Sequence, residues 1–306
     1  MKNGLHDRQE GQLCTPLLSE TTVAFLGTGR SLSKIEFLAS SGVGHFVLVD
    51  GGSIERENIG QSGFVRDDIG QLKAHVAAKR VRRINPRARV EMFACRDNEI
   101  KDLNTVLANA DLIIDGTDSL SAAIRLSRSA VQLGVDALHI RTEGDNRQYV
   151  IAGTLRNAAG LGCIRCFLKS ACDRHEAGHQ SPAFFYSHRI VAETLNVKAA
   201  WVALGLLHYR AGSTLSIASV GEHFAQLPCW IGLNGVDATS GEIFPIRAYR
   251  EPLPCGWRCP VCGNERTREA SGAALDDPKQ ECDSQQGREL CKQQRNGRSP
   301  CGSHPR

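Results

Sequence analysis

The stretch that most narrows the possible folds is Val23-Ala24-Phe25-Leu26, an apolar run without polar alternation that passes straight into Gly27-Thr28-Gly29. A strand covered on both faces needs no alternation, so the run reads as a buried parallel strand. Leu32 to Ser41 follows with helical spacing, placing Ile35, Leu38 and Ala39 on one face, and Ser40-Ser41-Gly42 closes it. A second apolar run, His45-Phe46-Val47-Leu48-Val49, ends in Asp50 and completes a βαβ unit. The pattern then repeats. A helix is predicted over Gln71 to Ile84, stopped by Asn85-Pro86, with a third strand over Arg89 to Ala94. A fourth strand, Asp111 to Asp115, precedes the turn Gly116-Thr117-Asp118 and a helix over Ser121 to Leu133. Strands alternating with helices define an α/β protein with a Rossmann-like, doubly wound, mostly parallel sheet.

The remainder is less periodic, apart from an apolar helix over Ile190 to Tyr209, and reads as an elaboration of the same sheet. From Asn264 the chain turns polar and rich in Gln, Arg and Ser, too poor in apolar surface to offset the entropy of ordering. The expected organisation is therefore an N-terminal arm over 1–20, one domain over 21–263 and a disordered polar tail over 264–306. With 306 residues, 41% of them apolar, a large core can be buried. The 37 basic and 33 acidic residues are too balanced to imply a nucleic-acid surface, and the basic run Arg80, Arg82, Arg83 and Arg87 reads as a solvated helix face. Neither a signal peptide nor a membrane span is expected, so a cytoplasmic location is predicted. In that compartment the twelve cysteines are reduced and read first as metal ligands, nucleophiles or small core residues.

Gly27 and Gly29 stand where a strand hands over to a helix, the place where backbone N–H groups and a helix N-terminus hold phosphate. Leu32 occupies the position of a third glycine. Asp50, about 20 residues further on, is placed to accept hydrogen bonds from ribose hydroxyls. Two distant CxxC knuckles, Cys163-Ile-Arg-Cys166 and Cys259-Pro-Val-Cys262, can offer four thiolates to one tetrahedral ion. An all-thiolate zinc has no open position, so it would be a structural clamp. Neither knuckle is expected to open a helix after a strand as redox CxxC pairs do. Cys229, beside Trp230, reads as a core residue.

Taken in order, Gly27-Thr-Gly29, the strand ending in Asp50, Asn58, Gly70-Gln-Leu-Lys73-Ala74, Asn85-Pro86, Asp115-Gly-Thr-Asp118 and the two CxxC pairs resemble the ThiF/MoeB/ubiquitin-activating-enzyme superfamily of adenylyltransferases over about Thr21 to Gly263. The resemblance implies an ATP-dependent enzyme that adenylates the C-terminal glycine carboxylate of a small ubiquitin-like or sulfur-carrier protein. It implies that Asp50 holds the ribose, Asn58 orients the phosphates, Lys73 neutralises charge on them and Asp118 holds Mg2+. Positioning and charge stabilisation are what such a transfer requires. Relatives also carry a reactive cysteine beyond the first CxxC. Cys172 stands there with Arg174 and His175, as a nucleophile for thioester or sulfur transfer, an inert buried thiol or an auxiliary ligand beside His175, His179 and His188. A homodimer is implied as well.

The sequence departs from the family after Asn58, where relatives place a phosphate-binding arginine and this chain reads Asn58-Ile-Gly-Gln61-Ser62. Arg30 and Arg66 are the candidates to replace it. Gly52 stands where a second aspartate is common, and Arg8-Gln9 occupies the place from which relatives send an arginine into a partner. Two other classes compete with the activating enzyme: a degenerate nucleotide-binding, carrier-docking subunit without catalysis, and a nicotinamide-dependent oxidoreductase. The second leaves Lys73, Asp118 and the knuckles unexplained.

Overall fold

The computed structural model describes residues 5–143, 148–156, 162–168, 189–235, 238–249 and 259–262. The tail expected over 264–306 lies outside the described residues, as do Cys172, His175, His179 and His188.

One eight-stranded sheet organises these residues. Its strands are β1 (Thr22–Leu26), β2 (His45–Val49), β3 (Arg89–Phe93), β4 (Leu112–Asp115), β5 (Asp136–Glu143), β6 (Gln148–Thr154), β7 (Cys229–Leu233) and β8 (Ile246–Tyr249). They lie in the order β3-β2-β1-β4-β5-β6-β7-β8. The pairs from β3 across to β5 are parallel, and β6, β7 and β8 add antiparallel pairs. The expected mostly parallel α/β sheet is thus present, extended by an antiparallel half that local patterning did not reveal.

The helices are α1 (Thr15–Glu20), α2 (Leu32–Ser41), α3 (Lys73–Ile84), α4 (Leu103–Leu107), α5 (Leu120–Leu133), α6 (Ile164–Phe167), α7 (Arg189–Arg210) and α8 (Ile217–Gln226). They cover both faces of the sheet, which is why the central strands read as continuous apolar runs. In β1, Val23 and Phe25 enter a core with residues of α2, α3, α7 and α8, while Ala24 and Leu26 enter a second core with Leu107 and Leu126 of α4 and α5. In β2, Phe46 and Leu48 divide from Val47 and Val49 in the same way. Leu32 is fully buried in the first core.

Element boundaries shift where tertiary pairing intervenes. The helix expected from Gln71 starts at Lys73, because Leu72 forms an antiparallel bridge with Ser53 and stays extended at φ −67°, ψ 133°. Ahead of β1, α1 buries Leu18 completely, and the Cys14 N–H donates 2.9 Å to Nε2 of the buried His208 on α7. The Gln9 amide donates to the Ser40 carbonyl at the end of α2. The helix α7 corrects the expectation that no segment approaches a membrane span. It is long and apolar enough by length and composition, yet 67% of its most apolar window is buried inside the domain, as in a core helix.

Candidate active site

The strand order reverses between β1 and β4, and open α/β sheets take ligands at the carboxyl ends of strands at such a point. The loop after β1 and the turn after β4 touch there, backbone to backbone. Gly27 sits at φ 81°, and a Cβ on it would lie 2.8 Å from the Gly116 carbonyl carbon. A Cβ on Gly116 would lie 2.0 Å from Ser31 Oγ. The two glycines therefore bring the loop of Gly29 and the turn of Asp118 to one crevice.

Asp50, at the end of β2, fixes the shape of that loop. Its Oδ2 accepts from the Thr28 N–H (2.7 Å) and hydroxyl (3.0 Å), and its Oδ1 accepts from the Gly52 N–H (2.8 Å). Lys73 is the first residue of α3, and its N–H donates 2.9 Å to the Gly52 carbonyl. Its side chain folds back along the glycine loop. Lys73 Nζ lies 3.8 Å from the point where a Cβ on Gly29 would stand and 3.4 Å from the corresponding point on Gly52. The absence of a side chain at Gly52 thus leaves room for the ammonium. Asn58 sits in a 3-10 turn, Arg56–Gly60, where its Oδ1 accepts from the Glu55 N–H (3.0 Å) and its carbonyl accepts from the Ser62 hydroxyl (2.6 Å).

Gly27, Gly29, Asp50, Asn58, Lys73 and Asp118 all line one cavity of about 310 Å³, with Arg30, Gln61, Ser62, Gly116 and Thr117. A neighbouring cavity of about 250 Å³ shares Gly27, Asp50 and Thr117 with it and continues past Leu26, Val49, Cys95 and Arg96. Both lie at the carboxyl ends of β1, β2 and β4. A larger apolar cavity of about 630 Å³, between α7, α8 and Leu13, shares no residue with either.

Four residues around the site carried no role in the sequence reading. Asp115 is fully buried; its Oδ1 accepts from the Thr117 N–H (3.0 Å) and hydroxyl (2.7 Å), and its Oδ2 lies 3.0 Å from Nδ1 of the buried His139. The opposite ring nitrogen of His139 is 3.2 Å from Thr154 Oγ1, which accepts from the Ile164 N–H at the start of α6. This chain of contacts ties the turn of Asp118 to the first cysteine knuckle. A lone histidine on a strand gives no local signal of such a role. Lys34, in the first turn of α2, is 1% exposed. Burial pushes its ammonium down to about 7, against the pull of Asp115, Asp118 and Glu193. Arg141 on β5 donates to the Asp118 carbonyl (3.4 Å), while its Nε and Nη1 are buried without a hydrogen-bond partner among the described residues.

Of the two arginines that could replace the missing one, Arg30 lines the cavity and the exposed Arg66 does not. The Arg30 Nη2 is 3.1 Å from Asp118 Oδ2.

The four knuckle cysteines also come together, with their sulfurs within 4.8 Å of one another. Cys163 and Cys259 are 3.7 Å apart, as are Cys166 and Cys262. Ligands about 2.3 Å from a tetrahedral zinc are separated by about 3.8 Å, so the donor set fits the ion in number, type and spacing. The Cys166 thiol is pushed up by hydrogen bonding with Cys163 and Cys262 and by burial, a resistance to ionisation that a bound cation would lift. One expectation is corrected: Cys163 does stand at the start of a helical turn, as the N-cap of α6. The second pair of sulfurs beside it still makes the arrangement a four-ligand one. Cys229 is a core residue, 3% exposed, and burial pushes its thiol up to about 12.

Residues 17–225 match the ThiF family, and the chain belongs to it. Among curated relatives, the sulfur carrier protein adenylyltransferase of Thermus thermophilus is 26% identical over 263 residues, covering 82% of this chain and 85% of that protein. A probable molybdopterin-synthase adenylyltransferase of Porphyra purpurea is 32% identical over 125 residues, 40% of this chain. That match spans only 32% of the Porphyra protein's length. In fold the chain is similar to the crystal structure of Escherichia coli MccB with succinimide, at a TM-score of 0.61 and 22% identity, covering 86% of this chain and 75% of MccB.

Proposed function

We propose that this chain is an ATP-dependent adenylyltransferase that activates the C-terminal glycine carboxylate of a small ubiquitin-like or sulfur-carrier protein. The observation that carries the reading is the convergence of the Lys73 ammonium, the Asp118 carboxylate and Asp50 around one glycine-lined cavity. The names of its curated relatives, adenylyltransferases for a sulfur carrier and for molybdopterin synthase, support it.

In this reading the adenosine lies along the neighbouring cavity with its ribose against Asp50, and the phosphates extend past Gly29 toward Lys73. The Asn58 side-chain oxygen is engaged by Glu55, so its amide donor is the end that orients phosphate. Asp118 holds Mg2+, which when bound offsets phosphate charge. A carboxylate oxygen of the carrier bonds to the α-phosphorus, the bond from that phosphorus to the bridging oxygen breaks, and pyrophosphate leaves. The nucleophile is already an anion at neutral pH, so no general base is needed. Lys73 stabilises the charge that accumulates on the phosphates. Cys172 is proposed as the acceptor for thioester or sulfur transfer. The cysteine cluster holds a structural zinc that staples Cys259–Cys262 onto α6, the protein acts as a cytoplasmic homodimer, and nucleic acid is not a partner.

The test is exchange of labelled pyrophosphate into ATP in the presence of a carrier ending in glycine. Wild type should catalyse it and Lys73→Ala should lose at least about 100-fold, the scale of removing one preorganised charge-stabilising group. Equal rates in the two would remove Lys73 from its role. The second reading, a docking subunit without catalysis, is favoured by the lack of an arginine in Asn58 to Ser62 and by the contact of Asp118 with Arg30. Tight ATP binding with no exchange would decide for it.

A further inference from the structure

Arg30 is held at three points. Its carbonyl accepts 2.8 Å from the side-chain amide of Asn196, a buried residue of α7, which fixes the backbone just ahead of α2. Its Nη1 donates to the Thr142 hydroxyl on β5 (3.2 Å), and its Nη2 lies 3.1 Å from Asp118 Oδ2. The guanidinium is thus aimed across the mouth of the glycine loop, a quarter exposed, in the wall of the cavity that Lys73 also lines. A guanidinium offers five donors in a planar fork that suits phosphate oxygens, and the two named contacts leave donors to spare. No arginine lies between Asn58 and Val65, and the cations lining this cavity among the described residues are Arg30 and Lys73.

We propose that Arg30 is a latch between two anions: without nucleotide it holds the Asp118 carboxylate, and with nucleotide it turns to the phosphates beyond the α-position, releasing Asp118 for the divalent cation. The inference rests on the adenylyltransferase reading, since it presupposes a triphosphate in this cavity. Its consequence is that affinity for the phosphate tail and availability of the metal-binding carboxylate are set by the same side chain. A phosphate-binding arginine absent from one loop is thereby replaced from another. Asn196 and Thr142 are the residues that position it.

The test is nucleotide binding by calorimetry with ATP and with AMP, in Mg2+ and in EDTA, for wild type, Arg30→Ala, Arg30→Lys, Asp118→Asn and the double variant. Arg30→Ala should weaken ATP binding by about 10- to 100-fold, the range for a charge-assisted hydrogen bond, and leave AMP binding within about twofold. Arg30→Lys should recover part of the loss, which also controls for folding. In EDTA, Asp118→Asn should bind ATP more tightly than wild type, because the latch is open, and that gain should vanish when Arg30→Ala is added. Equal ATP affinity in wild type and Arg30→Ala overturns the latch while leaving the adenylyltransferase reading in place. Parallel loss of ATP and AMP, or a gain that persists in the double variant, also overturns it. Wild-type protein that binds no adenine nucleotide overturns both.

Discussion

Replacing Gly27 by alanine should destabilise the domain by about 2–5 kcal/mol, through two components that a second substitution separates. The first is backbone strain. Gly27 sits at φ 81°, in the left-handed region, where a Cβ costs about 1–2 kcal/mol. The second is close approach. The new Cβ would lie 2.8 Å from the Gly116 carbonyl carbon and 2.9 Å from both the Gly116 oxygen and the Thr117 nitrogen, backbone atoms that cannot rotate aside. Forcing a methyl into such packing costs a further 1–3 kcal/mol or so. Gly70 has a similar φ of 85° but nothing within 4 Å of its Cβ position, so Gly70→Ala carries the strain alone. Equilibrium urea unfolding should therefore show Gly27→Ala losing about 1–3 kcal/mol more than Gly70→Ala, with the melting temperature falling by roughly 2–4 °C per kcal/mol. The clash also pushes the turn of Asp118 away from the glycine loop, so ATP affinity should fall in Gly27→Ala and hold in Gly70→Ala. Equal destabilisation by the two substitutions would refute the reasoning, since strain is the only component they share.

Two further outcomes are expected. Chelation should lower the melting temperature and release about one zinc per chain, with Cys163→Ser and Cys259→Ser losing similar stability; folded protein of undiminished stability that carries no metal would rule out the staple. Lys34 supplies a pH dependence. Burial lowers its ammonium from 10.5 to about 7, Asp115, Asp118 and Glu193 oppose the fall, and Arg30 adds to it. Between those values the unfolded chain keeps a proton that the folded one has released, so the group's contribution to stability rises with pH across the window and its penalty is full below about pH 7. Wild-type stability minus that of Lys34→Met should thus increase from about pH 7 to pH 10, and parallel pH profiles would contradict the burial of the amine.

The first half of the fold was legible because its signals are local. Apolar runs at Val23 to Leu26 and His45 to Val49, each passing into a glycine or an acid, read as strands covered on both sides, and each strand's alternate residues do divide between two cores. The helix over Leu32 to Ser41 has the predicted limits. The antiparallel half was not legible. The pairing of β6 with β7 joins Ile151 to Trp230 across a stretch of chain that holds α6, α7 and α8, and nothing in either segment names its partner. The site divides in the same way. Gly27, Gly29 and Asp50 stood out by their place at the ends of apolar runs, and Asn58, Lys73 and Asp118 by resemblance to the family's motifs, whereas His139 and Lys34 are ordinary residues whose surroundings are set only by folding.

The amino-acid sequence by itself determined the parallel Rossmann-like half and the two CxxC knuckles, since periodicity and spacing are properties of neighbouring residues, and its ordered resemblance to the family marked the residues of the glycine-loop crevice. Tertiary structure alone decided that the Arg30 guanidinium meets Asp118 rather than solvent, that Asp115 leans on His139, and that Lys34 is buried beside acids. Electrostatic contacts depend on distance in space and on the water excluded between the charges, and neither is fixed until strands distant in sequence lie side by side.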